Sequence, residues 1–339
     1  MPQKDCKSRY LDAMLELIWS QWITMGVSGN AQFARKWIID PEALVIITCR
    51  IGRYDPRVFD AMLEWLGIHQ RFLNVQRLKT LNSQKGLSGG NLLTAIANLL
   101  IKPSSRSKWG RIADQIPQGE VRQESLFYLK NGRPHPHPTQ PDPAFDKAGF
   151  SRQKYYDRQV VKQFRADCSA NLILKLRAVF GVNARCEIIA YLATHSQANP
   201  TETAAAVGYS QKAVHNVMNE LFQSGTVTKR IKGRETLYSL RKKEWLPLLS
   251  LKQPEVRWLD WKGIYSFMIA VWAILDDSKH QDENLILSEL ILLLTQKIPD
   301  LPGFLSEPLE AALRGPDQTR ASLPSVCSAL EEFIHTLME

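Results

Sequence analysis

The residues with the clearest capacity for chemistry lie between positions 201 and 234. Lys212, His215, Asn216, Asn219 and Gln223 recur at three-to-four spacing, so a helix puts them on one face. Val214, Val217, Met218, Leu221 and Phe222 share the other, apolar face. A helix side that meets only water favours Glu and Lys. Amides and a cation are instead the groups that pair with base edges in a major groove. Asn216 and Asn219 suit the bidentate edge of adenine, and Lys212 suits guanine or a phosphate. Further on, Lys229, Arg230, Lys232 and Arg234 cluster around Gly233, which suits a phosphate backbone. Ser210 and Gln211 open the polar helix, and Thr201 lies at the head of the helix before it. Helix N-termini present N–H groups to anions, so these three complete the expected double-stranded DNA contact set.

The surrounding chain supplies elements to hold these groups. Asn183 is placed to cap a helix carrying Ile188, Ile189 and Leu192 on one side. Asn199-Pro200-Thr201-Glu202 predicts a second helix, with Asn199 as cap, Pro200 in the first turn and Glu202 reaching back. Gly208-Tyr209 stops it, and Ser210 caps a third helix from Gln211 to about Ser224. Thr226 to Ile231 alternates and is β-branched, Lys232-Gly233-Arg234 is a tight turn, and Glu235 to Leu240 returns.

Arg185-Cys186-Glu187-Ile188-Ile189, Glu202-Thr203-Ala204, Gly208-Tyr209-Ser210 with Val214 and Leu221, Gly225-Thr226-Val227, Gly233-Arg234 and Tyr238-Ser239-Leu240 resemble the winged helix-turn-helix of ArsR-like and MarR-like bacterial transcription regulators. The resemblance covers about residues 183–240. It implies a recognition helix in the major groove, a basic wing on backbone or minor groove, and a homodimeric repressor in the cytoplasm. An unidentified small-molecule or protein effector is compatible with it. Winged helices also dock proteins, so a non-enzymatic adaptor assembling a larger complex is the second expectation.

The 339 residues are 44% apolar and 23% charged, with a formal net charge of +9. The length bounds two to three domains and the composition is ordinary for a soluble globular protein, while the helical spacing along most of the chain predicts a mainly α fold. The charge is uneven. Residues 150–245 carry 16 basic against 7 acidic side chains, residues 1–149 carry 20 against 13, and residues 246–339 carry 7 against 14. A basic centre suits a polyanion. The expected division is an N-terminal helical domain (1–130), a proline-rich linker (131–149), a linker helix plus winged helix (150–245), and an acidic helical domain (246–339). Within it, Phe150 to Phe180 reads as one long helix of the kind that forms dimer interfaces in such regulators. Asp40-Pro41 and Asp55-Pro56 each open a helix in what reads as a packing or dimerisation domain; the alternative is a second, cryptic helix-turn-helix with Gln76, Arg77 and Lys79 pointing outward. Lys102 to Arg111 reads as a basic, solvated loop, with contact to phosphates as the alternative. Leu285, Leu287, Leu290, Ile291 and Leu294 make an apolar face in the tail.

Five scattered cysteines without C-x-x-C spacing indicate neither a disulfide framework nor zinc, and fit a reducing compartment. His135-Pro136-His137 lacks further ligands. No phosphate loop, H-E-x-x-H or G-x-S-x-G is present, so no cofactor and no catalytic role are expected. The longest apolar run, Ile264 to Leu275, is short of the roughly 20 residues that span a bilayer.

Overall fold

The Asp-Pro pairs do what their chemistry dictates. Asp40 accepts the Ala43 amide at 3.0 Å and Asp55 accepts that of Arg57 at 3.0 Å, with proline in each first turn. The computed structural model describes residues 2–84, 86–101, 108–114, 122–249, 256–277, 282–314 and 321–338. It is mainly helical. The first part comprises α1 (Pro2–Thr24), α2 (Pro41–Ile51), α3 (Pro56–His69), α4 (Val75–Asn82), α5 (Leu92–Leu100) and α6 (Gly110–Ala113). Then come β1 (Glu124–Ser125), α7 (Pro143–Asp146), β2 (Phe150–Ser151), α8 (Leu172–Phe180), α9 (Ala184–Thr194), α10 (Pro200–Val207) and α11 (Gln211–Gln223). The hairpin β3 (Val227–Lys232) and β4 (Glu235–Leu240) follows, and α12 (Lys242–Leu248), α13 (Trp261–Asp276), α14 (Glu283–Lys297), α15 (Gly303–Arg314) and α16 (Leu323–Met338) complete the order. No described helix is long and apolar enough to cross a membrane.

Two apolar cores organise these elements. One gathers α1–α7 and α13–α16 around Trp22, Trp65, Phe59, Tyr265 and Phe333. The other gathers α8–α12 and the hairpin around Leu176, Ile188, Leu192, Val214, Met218 and Tyr238. The helices before residue 130 and those after 246 therefore share a core, where the sequence led us to expect separate domains. Hydrophobic spacing identifies a helix's buried face but not which other helix covers it. Helix α8 lies between the cores, giving Leu174 to the first and Leu176 to the second. The tail's apolar face is split likewise. Leu290 and Leu294 are buried, Leu287 and Ile291 half-buried, and Leu285 exposed.

Three expectations are corrected here. First, residues 131–149 are not a free linker. Pro134 pairs with Tyr128 and Pro141 with Gln153, and Pro143 opens α7 under an Asp142 cap, putting Phe145 in the core. Proline is compatible with the first helical turn. Second, Phe150 to Phe180 is not one helix. β2 runs parallel to β1, Val161 pairs with Val27, and Gln159 adopts φ 55°. The Glu64 carboxylate accepts the backbone N–H groups of Arg158 and Val161, at 3.1 and 2.8 Å. These tertiary partners draw the segment out along the body, and only a 3-10 turn at Ser169–Asn171 and α8 remain helical. Third, Cys6 and Cys327, 321 residues apart, form a disulfide. α1 packs along α16, which brings the two cysteines together without any spacing signature in the sequence.

Candidate nucleic-acid interface

Asn183, Asn199 and Ser210 cap α9, α10 and α11 by accepting the amides of Arg185, Glu202 and Ala213, at 2.9, 2.8 and 3.3 Å. Gly208 ends α10 at φ +75°, a conformation that costs a residue bearing Cβ far more than glycine. The chain thus turns sharply at Gly208-Tyr209 and enters α11. Val214, Met218 and Leu221 bury against α9 and α10. β3 and β4 pair from Val227↔Leu240 to Lys232↔Glu235, with Gly233 at φ +60° in the turn. Ala198 adds a bridge to Tyr238 through reciprocal amide–carbonyl bonds, both 2.9 Å, so the hairpin is held to the start of α10.

This scaffold leaves one side of α11 open. Gln211, Lys212, His215, Asn216 and Gln223 are exposed. A groove of about 790 Å³ runs between α10, α11 and the hairpin turn, and brings together Thr201, Gln211, Lys212, His215 and Arg234. Gln211 donates to the Thr201 hydroxyl at 2.7 Å, bridging two helix N-termini. Arg230 and Lys232 are exposed on β3 but do not line this groove. Glu202 and Glu235 also line it; the sequence reading did not include them, and as fixed anions they oppose a phosphate placed there. Glu202 does not cap its own helix as expected. Its carboxylate accepts the Tyr191 hydroxyl at 3.1 Å, and burial together with that negative charge pushes the Tyr191 phenol up.

Three residues sit differently from the spacing argument. Asn219 is half-buried; its Oδ1 accepts the Tyr238 hydroxyl at 2.7 Å and lies 3.3 Å from Lys229 Nζ, while its Nδ2 lies 3.3 Å from the ring nitrogens of His215. It is not free to read adenine with both groups. Lys229 is drawn back from the hairpin tip over the rings of Phe222 and Tyr238, at 5.8 and 5.7 Å. Phe222, expected in the apolar seam, is 45% exposed beneath that ammonium. The physical reason is common to all three: Tyr238 points from β4 into the seam, and its hydroxyl needs an acceptor. At the tip the exposed side chains are Arg230, Ile231, Lys232 and Arg234, with Ile231 at 72%.

The α10–α11 unit is tied to the helical body by a buried ion network. Arg177 on α8 donates to Glu42 on α2 at 2.6 and 3.0 Å, to Glu187 on α9 at 2.5 and 2.9 Å, and to the Phe72 carbonyl at 2.7 Å. Arg77 on α4 donates to Asp40 at 2.6 and 2.5 Å and to Glu42 at 3.0 Å. Arg77 is thus an internal cation, and the outward-facing reading of Gln76, Arg77 and Lys79 holds only for its neighbours. Burial would raise the Asp40 carboxyl, but the Arg77 guanidinium outweighs it and holds the group below its ordinary value. Asn74 donates to the Tyr209 hydroxyl at 2.7 Å, so the turn ahead of α11 docks on α4. Among the described residues no His, Cys, Asp or Glu cluster could hold a metal. Burial pushes the Cys186 thiol up to about 11, as befits a buried small hydrophobe. No family model, curated protein or solved structure matches the chain.

Proposed function

We propose that the protein is a sequence-specific double-stranded DNA-binding transcription regulator, acting through a winged helix-turn-helix spanning residues 183–240. The observation that carries this reading is the open polar face of α11, with Lys212, His215 and Asn216 exposed beside a hairpin whose turn bears Arg234. In it, α11 lies in the major groove, Asn216 and Lys212 read base edges, and Arg230, Lys232 and Arg234 hold backbone phosphates. Thr201, Ser210 and Gln211 lie at helix N-termini that favour anions. Sequencing of fragments that co-purify with the protein, then titration of the enriched and a scrambled duplex, tests it. A shared motif and preference for the enriched duplex support the reading; equal affinity for both, or none, removes it.

We place its action beside the chromosome, in the cytoplasm, as a dimeric repressor. Leu285 and Leu292, exposed one heptad apart on α14, offer an apolar contact for a second copy. Sedimentation of the wild type and of L285E/L292E tests the dimer. The Cys6–Cys327 bond runs against a reducing compartment, and alkylation of cysteines in fresh extract decides whether it persists there.

A second reading has its own observation. Glu202 and Glu235 in the groove and exposed Phe222 and Ile231 suit a protein partner, as in an adaptor. Random duplex would then compete as well as any selected one.

A further inference from the structure

Two basic features remain outside the interface just described: the solvent side of α4, and the basic stretch from residue 102 to 111. Residues 102–107 lie outside the described part, but Lys108 and Arg111 are placed. They converge with α4. A cleft of about 500 Å³ is lined by Asn74, Gln76, Lys79, Lys108 and Arg111, with Val182 from the loop before α9. Among the described residues no carboxylate lines it, in contrast to the groove beside α11, which contains Glu202 and Glu235.

The cleft's cations are partly fixed in place. The Lys108 ammonium donates to the carbonyls of Leu73 and Arg71 at 3.1 and 3.4 Å, using two of its three donors. Holding the side chain in this way lowers the entropy lost when it meets a ligand. Burial, with the Arg177 guanidinium behind it, depresses the Lys108 ammonium, a cost that a bound anion relieves. The cleft is also close to α11. Asn74 lines it and donates to Tyr209, in the turn just before the Ser210 cap of α11, and Lys212 lies in the first turn of that helix. Lys79 is five residues from Asn74, about 7.5 Å along α4.

We propose that the cleft of Gln76, Lys79, Lys108 and Arg111 is a second phosphate-binding surface, which takes the DNA backbone beyond the stretch held by α11 and the hairpin. This rests on the reading of α11 as a duplex-binding helix. Gln76 and Lys79 give the α4 side of the track, and Lys108 and Arg111 the α6 side. The contacts are to backbone and independent of sequence.

The test compares two labelled duplexes, one limited to the enriched site and one extended by about ten base pairs on each side. Wild type, K79A/R111A and the charge reversal K79E/R111E are titrated between 50 and 200 mM salt. Lys79 and Arg111 are outside the buried network, and circular dichroism melting checks the fold. The wild type should prefer the long duplex, with a slope of log K against log salt steeper by about 1.8 for two phosphates, roughly a ten-fold effect across that range. K79A/R111A should lose this gain and keep its short-duplex affinity, and K79E/R111E should fall further on the long duplex alone. Equal affinity of the wild type for both lengths, or a gain that survives K79E/R111E, overturns the proposal while leaving the α11 reading intact. Pyrophosphate binding that K79A/R111A abolishes, with the length gain unchanged, assigns the cleft to free phosphates and also overturns it. Failure of the wild type to bind either duplex removes the α11 reading and this extension with it.

Discussion

The Tyr238 hydroxyl donates to Asn219 Oδ1 at 2.7 Å, joining β4 to α11. This bond separates two asparagines that spacing alone makes equivalent. Asn216 is exposed on α11, and Asn219 belongs to the fold. Asn219→Ala leaves the hydroxyl of a fully buried tyrosine without this partner, and should destabilise by about 1–3 kcal/mol. Asn216→Ala should leave stability unchanged and lose about 1–3 kcal/mol of discrimination between enriched and scrambled duplex. Urea unfolding and duplex titration on both variants check this. A stable Asn219→Ala with lost discrimination would reverse the assignment.

The hairpin cations should not act alike. Lys229, Arg230 and Lys232 are all exposed, but Lys229 is held over Phe222 and Tyr238 and beside Asn219 Oδ1. R230A/K232A should therefore lower the salt slope by about one unit per lost phosphate contact. Lys229→Ala should change the slope less and lower the melting temperature more. Equal slopes for all three proteins would take the hairpin off the backbone.

These contrasts also mark how far the sequence could be read. Three helices and a hairpin between Asn183 and Leu240 were legible because each boundary carries a local signal: Asn199-Pro200, Gly208 in the left-handed region, Gly233 in the turn. The open side of α11 was legible from its period. The pairing of Asn219 with Tyr238 was not, because it joins residues 19 apart and depends on how β4 crosses the helix. The α4–α11 link through Asn74 and Tyr209 spans 135 positions and has no local signal. Residues 150–168 were misread because Val160, Val161 and Phe164 fit a helical period as well as an extended strap. Their partners Val27 and Glu64, remote in sequence, decide between the two.

Glu42 is the point through which the two cores communicate. It accepts Arg177 from α8, Arg77 from α4 and the Asn74 amide at 2.7 Å, and it is fully buried. Removing one partner of a buried ion pair leaves the other charge uncompensated, which typically costs about 3–5 kcal/mol. Glu42→Ala should destabilise on that scale. It should also loosen the α10–α11 unit, seen as faster amide exchange at Tyr209 and Ser210. The companion variant R177M/E42L/E187L exchanges the charges for apolar groups and should recover part of the loss. A near-neutral Glu42→Ala would mean that apolar packing alone joins the cores.

His69 makes stability depend on pH near neutrality. Its Nε2 meets the Lys162 carbonyl at 3.0 Å, and a carbonyl only accepts, so the ring N–H donates there. The imidazole packs among Trp65, Phe72 and Phe164. Burial is the largest influence and lowers its pKa below the ordinary 6.5, against the smaller opposing effect of that hydrogen bond. In the unfolded chain the ring therefore takes up a proton more readily than in the fold. Its contribution is present in full above about pH 6.5 and is lost as pH falls through the lower folded value. The melting temperature should thus decline from pH 7 towards pH 5. His69→Gln places an uncharged donor at the same carbonyl, and should flatten that decline while lowering stability at pH 7 through poorer packing. An identical pH profile for the two proteins would assign the slope to another group.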